Sequence, residues 1–218
     1  VVVREQFETD LTSIKEEISV MASKVEKAFL EAIDALYNQD LELANRIIES
    51  DRWIDKQEFD INNNAILTIA KQQPVATDLR QLIIALRITT DLERMADNAK
   101  NIAESAIRLG ESHHFIVHPE LKEMRNTTVE MIHTAMNAFQ QEDISIAGKL
   151  SGMDDKLDEQ YEQIIHELLS AHTGGKGKTQ HVMQLAFVAR YIERIGDHVT
   201  NIGESILFLV KGESYKLN

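Results

Sequence analysis

The chain has 218 residues, no cysteine, and 36 acidic against 23 basic side chains, for a net charge of -13. That length suits one or two domains, and 43% apolar with 27% charged residues describes a globular chain rather than a disordered one. The lack of cysteine excludes disulfide scaffolds, zinc fingers and thiol catalysis and fits a reducing cytoplasm; the acidic balance argues against nucleic acid; and no apolar run approaches the ~20 residues of a membrane span.

Taken in order, the elements all read at helical period. The opening Val1-Val2-Val3-Arg4 lacks the apolar core of a signal peptide, and a first helix is predicted over 5–38. Asp40 is a candidate N-cap for a second helix over 40–72, which Pro74 stops. A third runs over 76–110. The following stretch with His113, His114 and His118 reads as a solvated linker. Pro119 suits the first turn of a fourth helix over 119–140, and Asp143 caps a fifth over 143–172. Gly174, Gly175 and Gly177 mark a flexible loop, without the strand or spacing of a phosphate loop, before a sixth helix over 178–212. Helices of this length, with no alternating strand pattern, predict an all-α bundle.

The chain also repeats itself. The stretch from Glu93 to Ser105 matches the stretch from Glu193 to Ser205 at seven of 13 positions, where composition predicts about one. Asp40, Ala44, Asp51 and Asp55 align more weakly with Asp143, Ala147, Asp154 and Asp158. Two tandem, pseudo-symmetric three-helix bundles are therefore expected, six long helices in all, with one unit over 1–111 and the other over 112–218. Ile88, Leu92, Met95, Ala99, Ile102 and Ala106 form the core stripe of the first unit's third helix. Val188, Ile192, Ile195, Val199, Ile202 and Ile206 form the equivalent stripe in the second.

Candidate chemistry lies in carboxylates. Glu93, Asp97, Asn101 and Glu104 share one face, as do Glu193, Asp197, Asn201 and Glu204, and the wheel sets both rows roughly opposite the apolar stripes. A solvated polar face is the simpler reading. Like charges at i,i+4 oppose it, because they repel. Asp51 and Asp55, with Glu58, lie in or beside the apolar stripe of the second helix; Asp154 and Asp158 do the same in the other unit. A carboxylate turned toward a core needs a cation. Arg80, Arg87 and Arg190 are the protein candidates. The alternative is a metal, and oxygen-only donors select hard cations such as Mg, Mn, Ca or ferric iron over a tetrahedral structural zinc site. Glu130-x-x-His133 has no helical counterpart, as a di-metal oxidase would require. His198 is the one base beside the rows.

Two motifs carry a resemblance. Pro74-Val75-Ala76-Thr77-Asp78-Leu79-Arg80 followed by Asp91-Leu92-Glu93-Arg94-Met95-Ala96-Asp97, and Ala189-Arg190-Tyr191-Ile192-Glu193-Arg194-Ile195-Gly196-Asp197-His198, resemble the PhoU family over essentially the whole chain. The resemblance implies a cytoplasmic negative regulator of phosphate uptake and phosphate-starvation signalling. It implies two partners, the ATPase subunit of a phosphate ABC transporter and a sensor histidine kinase, met at the membrane without spanning it. It also implies multivalent, multinuclear metal (iron, manganese, magnesium or zinc) at the motif positions Asp51 with Asp55, Glu93 with Asp97, Asp154 with Asp158, and Glu193 with Asp197. A homodimer is among the expected assemblies. Met95-Ala96 departs from the family's Ile-Gly, and Gln180-His181-Val182-Met183-Gln184 replaces the Pro-led lead-in, so the two copies are expected to be unequal. The reading set against a non-enzymatic adaptor is a metal-dependent hydrolase or oxidase built on the same carboxylates.

Overall fold

A computed structural model describes residues 2–110, 117–170, 176–213 and 216–217. They form α1 (Val2–Asn38), α2 (Leu41–Gln72), α3 (Ala76–Leu109), α4 (Glu120–Gln141), α5 (Ile144–Ala147), α6 (Lys149–Ser170) and α7 (Lys176–Lys211). No strand occurs among the described residues. The proposed unit boundary at 111/112, His113 and His114, and the glycine loop at 174 and 175 lie outside them.

The helix ends follow local chemistry. Asp40 accepts a hydrogen bond from the Leu43 N–H at 2.8 Å, and Asp143 accepts from Ser145 N–H at 2.7 Å, so both expected caps hold. α2 ends where Gln73 turns left-handed (φ 48°, ψ 51°), since the ring of Pro74 disfavours helix in the residue before it. Pro119 opens α4 with φ -63°, within the range its ring imposes. The single helix expected over 143–172 is instead one turn, α5, and then α6. The helix is interrupted at Gly148, whose N–H still reaches the Ile144 carbonyl at 2.9 Å.

α1, α2 and α3 pack together, and α4, α6 and α7 do the same, with α5 tucked against the second group. The largest contact of all is between α3 and α7, the third long helix of each repeat. Every residue of both expected stripes is buried, and a single apolar cluster runs through both repeats. α3 therefore has partners on three sides: α1, α2 and α7. This changes the placement of the acidic rows. The wheel treats a helix as having one buried stripe and an open opposite face, whereas a helix enclosed on three sides keeps little open face. Glu193 is 92% buried, and the Glu93 side chain is only 16% exposed.

His118 corrects a further expectation. It is not solvated: its side chain is mostly buried, its Nε2 meets Glu167 at 3.0 Å, and its carbonyl accepts from Tyr37 Oη at 2.6 Å. The segment entering α4 is thereby tied to α1.

Candidate functional site

In the first repeat, α2 presents Asp51 inward and Asp55 one turn later at the rim. Asp51 is 6% exposed and bonds Lys100 of α3, with Nζ 2.6 Å from Oδ2. The same ammonium lies 3.9 Å from Asp97 Oδ1. Arg94, on the outer side, spans Glu93 at 3.3 Å and Asp97 at 3.2 Å. Glu58 joins from α2, accepting a hydrogen bond from Thr90 at 2.9 Å. Partial burial, then the negative charges of Asp51 and Asp97, hold the Asp55 carboxyl above its ordinary range. Burial and Asp97 do the same to Glu93.

The second repeat builds the corresponding cluster from α6 and α7. Asp154 is 3% exposed and accepts from Thr200 Oγ1 at 3.1 Å. Asp158, at the rim, is raised by burial and then by Asp197, Asp155 and Glu162. Glu193 is pushed up to about 7 by burial and by Asp197, against the lowering influence of Arg190. Its Oε1 pairs with the Arg190 guanidinium, while its buried Oε2 has no hydrogen-bond partner.

All eight expected residues thus fall into two clusters of four. The fold brings together the second-helix and third-helix acids that helical-wheel angles left apart. The tails of the rows do not join them. Glu104 pairs with Arg108 at 2.9 Å, Asn201 donates to Asp91 at 3.3 Å, and Glu204 accepts from the Leu217 N–H at 2.8 Å. Of the arginines proposed as partners, only Arg190 meets a row carboxylate. Arg87 stacks over Phe208, and Arg80 reaches Thr77 and the Leu209 carbonyl. The cation beside Asp51 is Lys100, which sequence reasoning missed. Its signal lay in the repeat alignment, where Lys100 stands opposite Thr200. His198 also turns elsewhere: its Nδ1 meets Asp91 Oδ1 of α3 at 3.0 Å, linking the two repeats. His133 pairs with Glu26 of α1 at 2.9 Å.

The donor chemistry suits a hard cation. Every candidate ligand is a carboxylate, and mutual repulsion raises several of them. Two buried oxygens, Glu93 Oε2 and Glu193 Oε2, make no hydrogen bond, although Arg94 Nε approaches the first to 3.3 Å. A multivalent ion would relieve both the repulsion and the unmet acceptors. As the side chains stand, no three such groups among the described residues surround one point closely enough to hold an ion.

The PhoU domain matches the chain twice, over residues 18–106 and 121–206. A Clostridium acetobutylicum phosphate-specific transport system accessory protein PhoU homolog is 39% identical over 217 residues, covering 99% of each chain. The Escherichia coli phosphate-specific transport system accessory protein PhoU is 34% identical over 211 residues, covering 97% of this chain and 88% of that one. Among solved structures, PhoU from Pseudomonas aeruginosa superposes with a TM-score of 0.89 at 30% identity, covering 95% of this chain and all of that one. The phosphate transport system regulatory protein PhoU from Streptococcus pneumoniae shares the fold, with a TM-score of 0.90 at 24% identity. Two domain matches in tandem and near-complete alignment with these relatives establish that this chain belongs to the PhoU family.

Proposed function

We propose that the protein is an accessory of a phosphate-specific transport system that restrains phosphate uptake and phosphate-starvation signalling. In this reading it binds the transporter's ATPase subunit and a sensor histidine kinase at the cytoplasmic face of the membrane, and works by contact rather than turnover. The observation that carries it is end-to-end similarity, through both repeats, to proteins named as accessories of such systems. No helix among the described residues is long and apolar enough to cross a membrane.

The two carboxylate clusters are the proposed metal sites. Asp51, Asp55, Glu93 and Asp97 would hold ions in one, and Asp154, Asp158, Glu193 and Asp197 in the other. When bound, such ions supply positive charge that fixes α2 to α3 and α6 to α7 at the surface. A hydrolytic or oxidative use of the same acids is not favoured. The nearby imidazole, His198, is held by Asp91 rather than poised over a cluster.

The test is affinity capture from membranes with the intact protein and with Asp97→Ala/Asp197→Ala, beside a gene deletion. Recovery of the transporter ATPase and the kinase, with starvation genes switched on in high phosphate after deletion, is the expected result. Recovery of neither, with normal phosphate regulation, would move the enzymatic reading ahead.

A further inference from the structure

In the first repeat α1 and α2 leave a groove of about 570 Å3 between them. Its apolar floor is Ala28 of α1 with Leu43, Ile47 and Ile54 of α2, and Trp53, 58% exposed, forms part of the wall. The lining residues of α2 run from Leu43 to Ile54, about 16 Å of helix. The repeat alignment shows why the groove is open. Ala28 and Ser50, both small, line it. The offset that sets Ala44 against Ala147 sets these two against Met131 and Met153. In the second repeat Met131 is fully buried and Met153 packs on the core, so long side chains fill what Ala28 and Ser50 leave open. The rim differs as well. Lys24 and Lys27 stand against Thr127 and Glu130, and Trp53 against Lys156.

We infer that this groove is a docking site for an acidic, amphipathic helix of a partner protein. The carboxylate clusters and their metal play no part in it. Local charge selects the partner. The chain as a whole carries 36 acidic and 23 basic side chains, yet among the described residues the groove is lined by Lys24, Lys27 and Arg46 against one acid, Glu31. Lys24 donates to the neutral amide oxygen of Gln57 at 2.8 Å. Lys27 lies 3.7 Å from Glu31, and Arg46 lies 2.8 Å from Glu42. Both are exposed i,i+4 pairs, which are worth little and give way to a better-placed anion. The Arg52 guanidinium, 5.1 Å from the centre of the Trp53 ring, adds a further cation beside the wall. An exposed tryptophan beside arginines is the side-chain set that anchors protein interfaces. A groove between two helices, open along its length, takes a third helix through apolar anchors at i, i+4 and i+7, a span of about 10 Å. Acids flanking that stripe on one side would meet Lys24 and Lys27 of α1, and on the other Arg46 of α2.

Trp53 is the chain's one tryptophan, so its fluorescence reports the groove directly. The experiment titrates the full chain with two synthetic helical peptides that lack tryptophan. Both present leucine along one face; one carries glutamate at the flanking positions and the other lysine. The glutamate peptide is expected to shift Trp53 emission to the blue with half-saturation below about 100 μM, and to bind about tenfold or more weakly in about 0.5 M salt. The lysine peptide is expected to leave the emission unchanged, although a net charge of -13 favours it. Lys27→Glu/Arg46→Glu should weaken the glutamate peptide by about tenfold or more. Ala28→Met/Ser50→Met, which copies the second repeat, should abolish the response. Circular dichroism checks the fold of each variant, and if the methionine variant does not fold, the charge variant decides alone. No shift with the glutamate peptide, an equal shift with the lysine peptide, or an undiminished response in the folded variants would overturn the inference. Sedimentation equilibrium tests the other occupant. A dimer that the charge variant dissociates would place a second copy in the groove and overturn the assignment to a partner protein.

Discussion

Gly196 of α7 lies so close to Leu157 of α6 that a β-carbon at position 196 would stand 2.3 Å from Leu157 Cδ2 and 3.6 Å from Met131 Cε. Leu157 is fully buried, so its methyl group cannot swing into solvent. Gly196→Ala should gain helix propensity of about 1 kcal/mol and lose more to overpacking, for a net destabilisation of roughly 1–2 kcal/mol. Gly152 on α6 is the contrast, because nothing lies within 4 Å of its added carbon. Gly152→Ala should stabilise by about 0.5–1 kcal/mol. Urea unfolding of the two variants measures both signs. Ala96 stands at the equivalent position of the first repeat. The family's glycine is thus replaced in α3 and retained in α7, where α6 comes too near for a methyl group.

Removing the shared acids should separate stability from metal. Asp97 raises both Asp55 and Glu93 electrostatically, and Asp197 raises both Asp158 and Glu193. Asp97→Ala/Asp197→Ala therefore relieves repulsion while deleting two of the proposed ligands. The expected result is an unchanged helical spectrum, a metal-free melting temperature equal to or above that of the unmodified protein, and loss of bound metal. Collapse of the helical signal would mean that the two residues are structural. Ile102→Ala, by comparison, truncates a fully buried core residue and should cost roughly 2–5 kcal/mol by chemical denaturation.

Glu193 makes stability depend on pH. Its carboxyl titrates near 4.5 without its folded surroundings and at about 7 within them. The folded state therefore holds the extra proton between those values, and its contribution to stability is full below about 4.5 and lost as pH rises through about 7. In chelator, the unmodified protein should lose roughly 1–3 kcal/mol more than Glu193→Gln between pH 5 and pH 8. Thermal melts at the two pH values give the difference. Parallel pH profiles for the two proteins would show that Glu193 ionises normally. A bound cation should flatten the decline, since it favours the ionised carboxylate.

Tyr37 holds the segment entering α4 to α1. Its hydroxyl donates to the His118 carbonyl at 2.6 Å, and burial pushes its pKa up to about 12. Tyr37→Phe should cost about 1 kcal/mol, the ordinary net value of a hydrogen bond. Spectrophotometric titration should find this phenol un-ionised at pH 10.5, where exposed tyrosines are mostly deprotonated. A Tyr37→Phe chain as stable as the unmodified one would mean that water replaces the hydrogen bond without loss.

Much of this molecule was legible from the chain. Helical periodicity is a local property, so the core stripes from Ile88 to Ala106 and from Val188 to Ile206 could be read directly, and every one of those residues is buried. Short-range capping was equally visible at Asp40 and Asp143, because a cap and the N–H that donates to it lie within three residues. The repeat, and with it the matched choice of four acids in each half, also needed only the sequence. The depth of those acids could not be read this way. Burial of Glu193 and most of the Glu93 side chain follows from α3 and α7 each being enclosed by several helices, which no single helical wheel contains. The contact of Lys100 with Asp51 spans 49 residues, and that of His198 with Asp91 spans 107. An ion pair at such separation is set by how two helices rotate and slide against each other. The chain by itself fixed which residues could bear charge on which helix. The packing of α2 on α3 and of α6 on α7 decided which charges meet, and which cation stands between them.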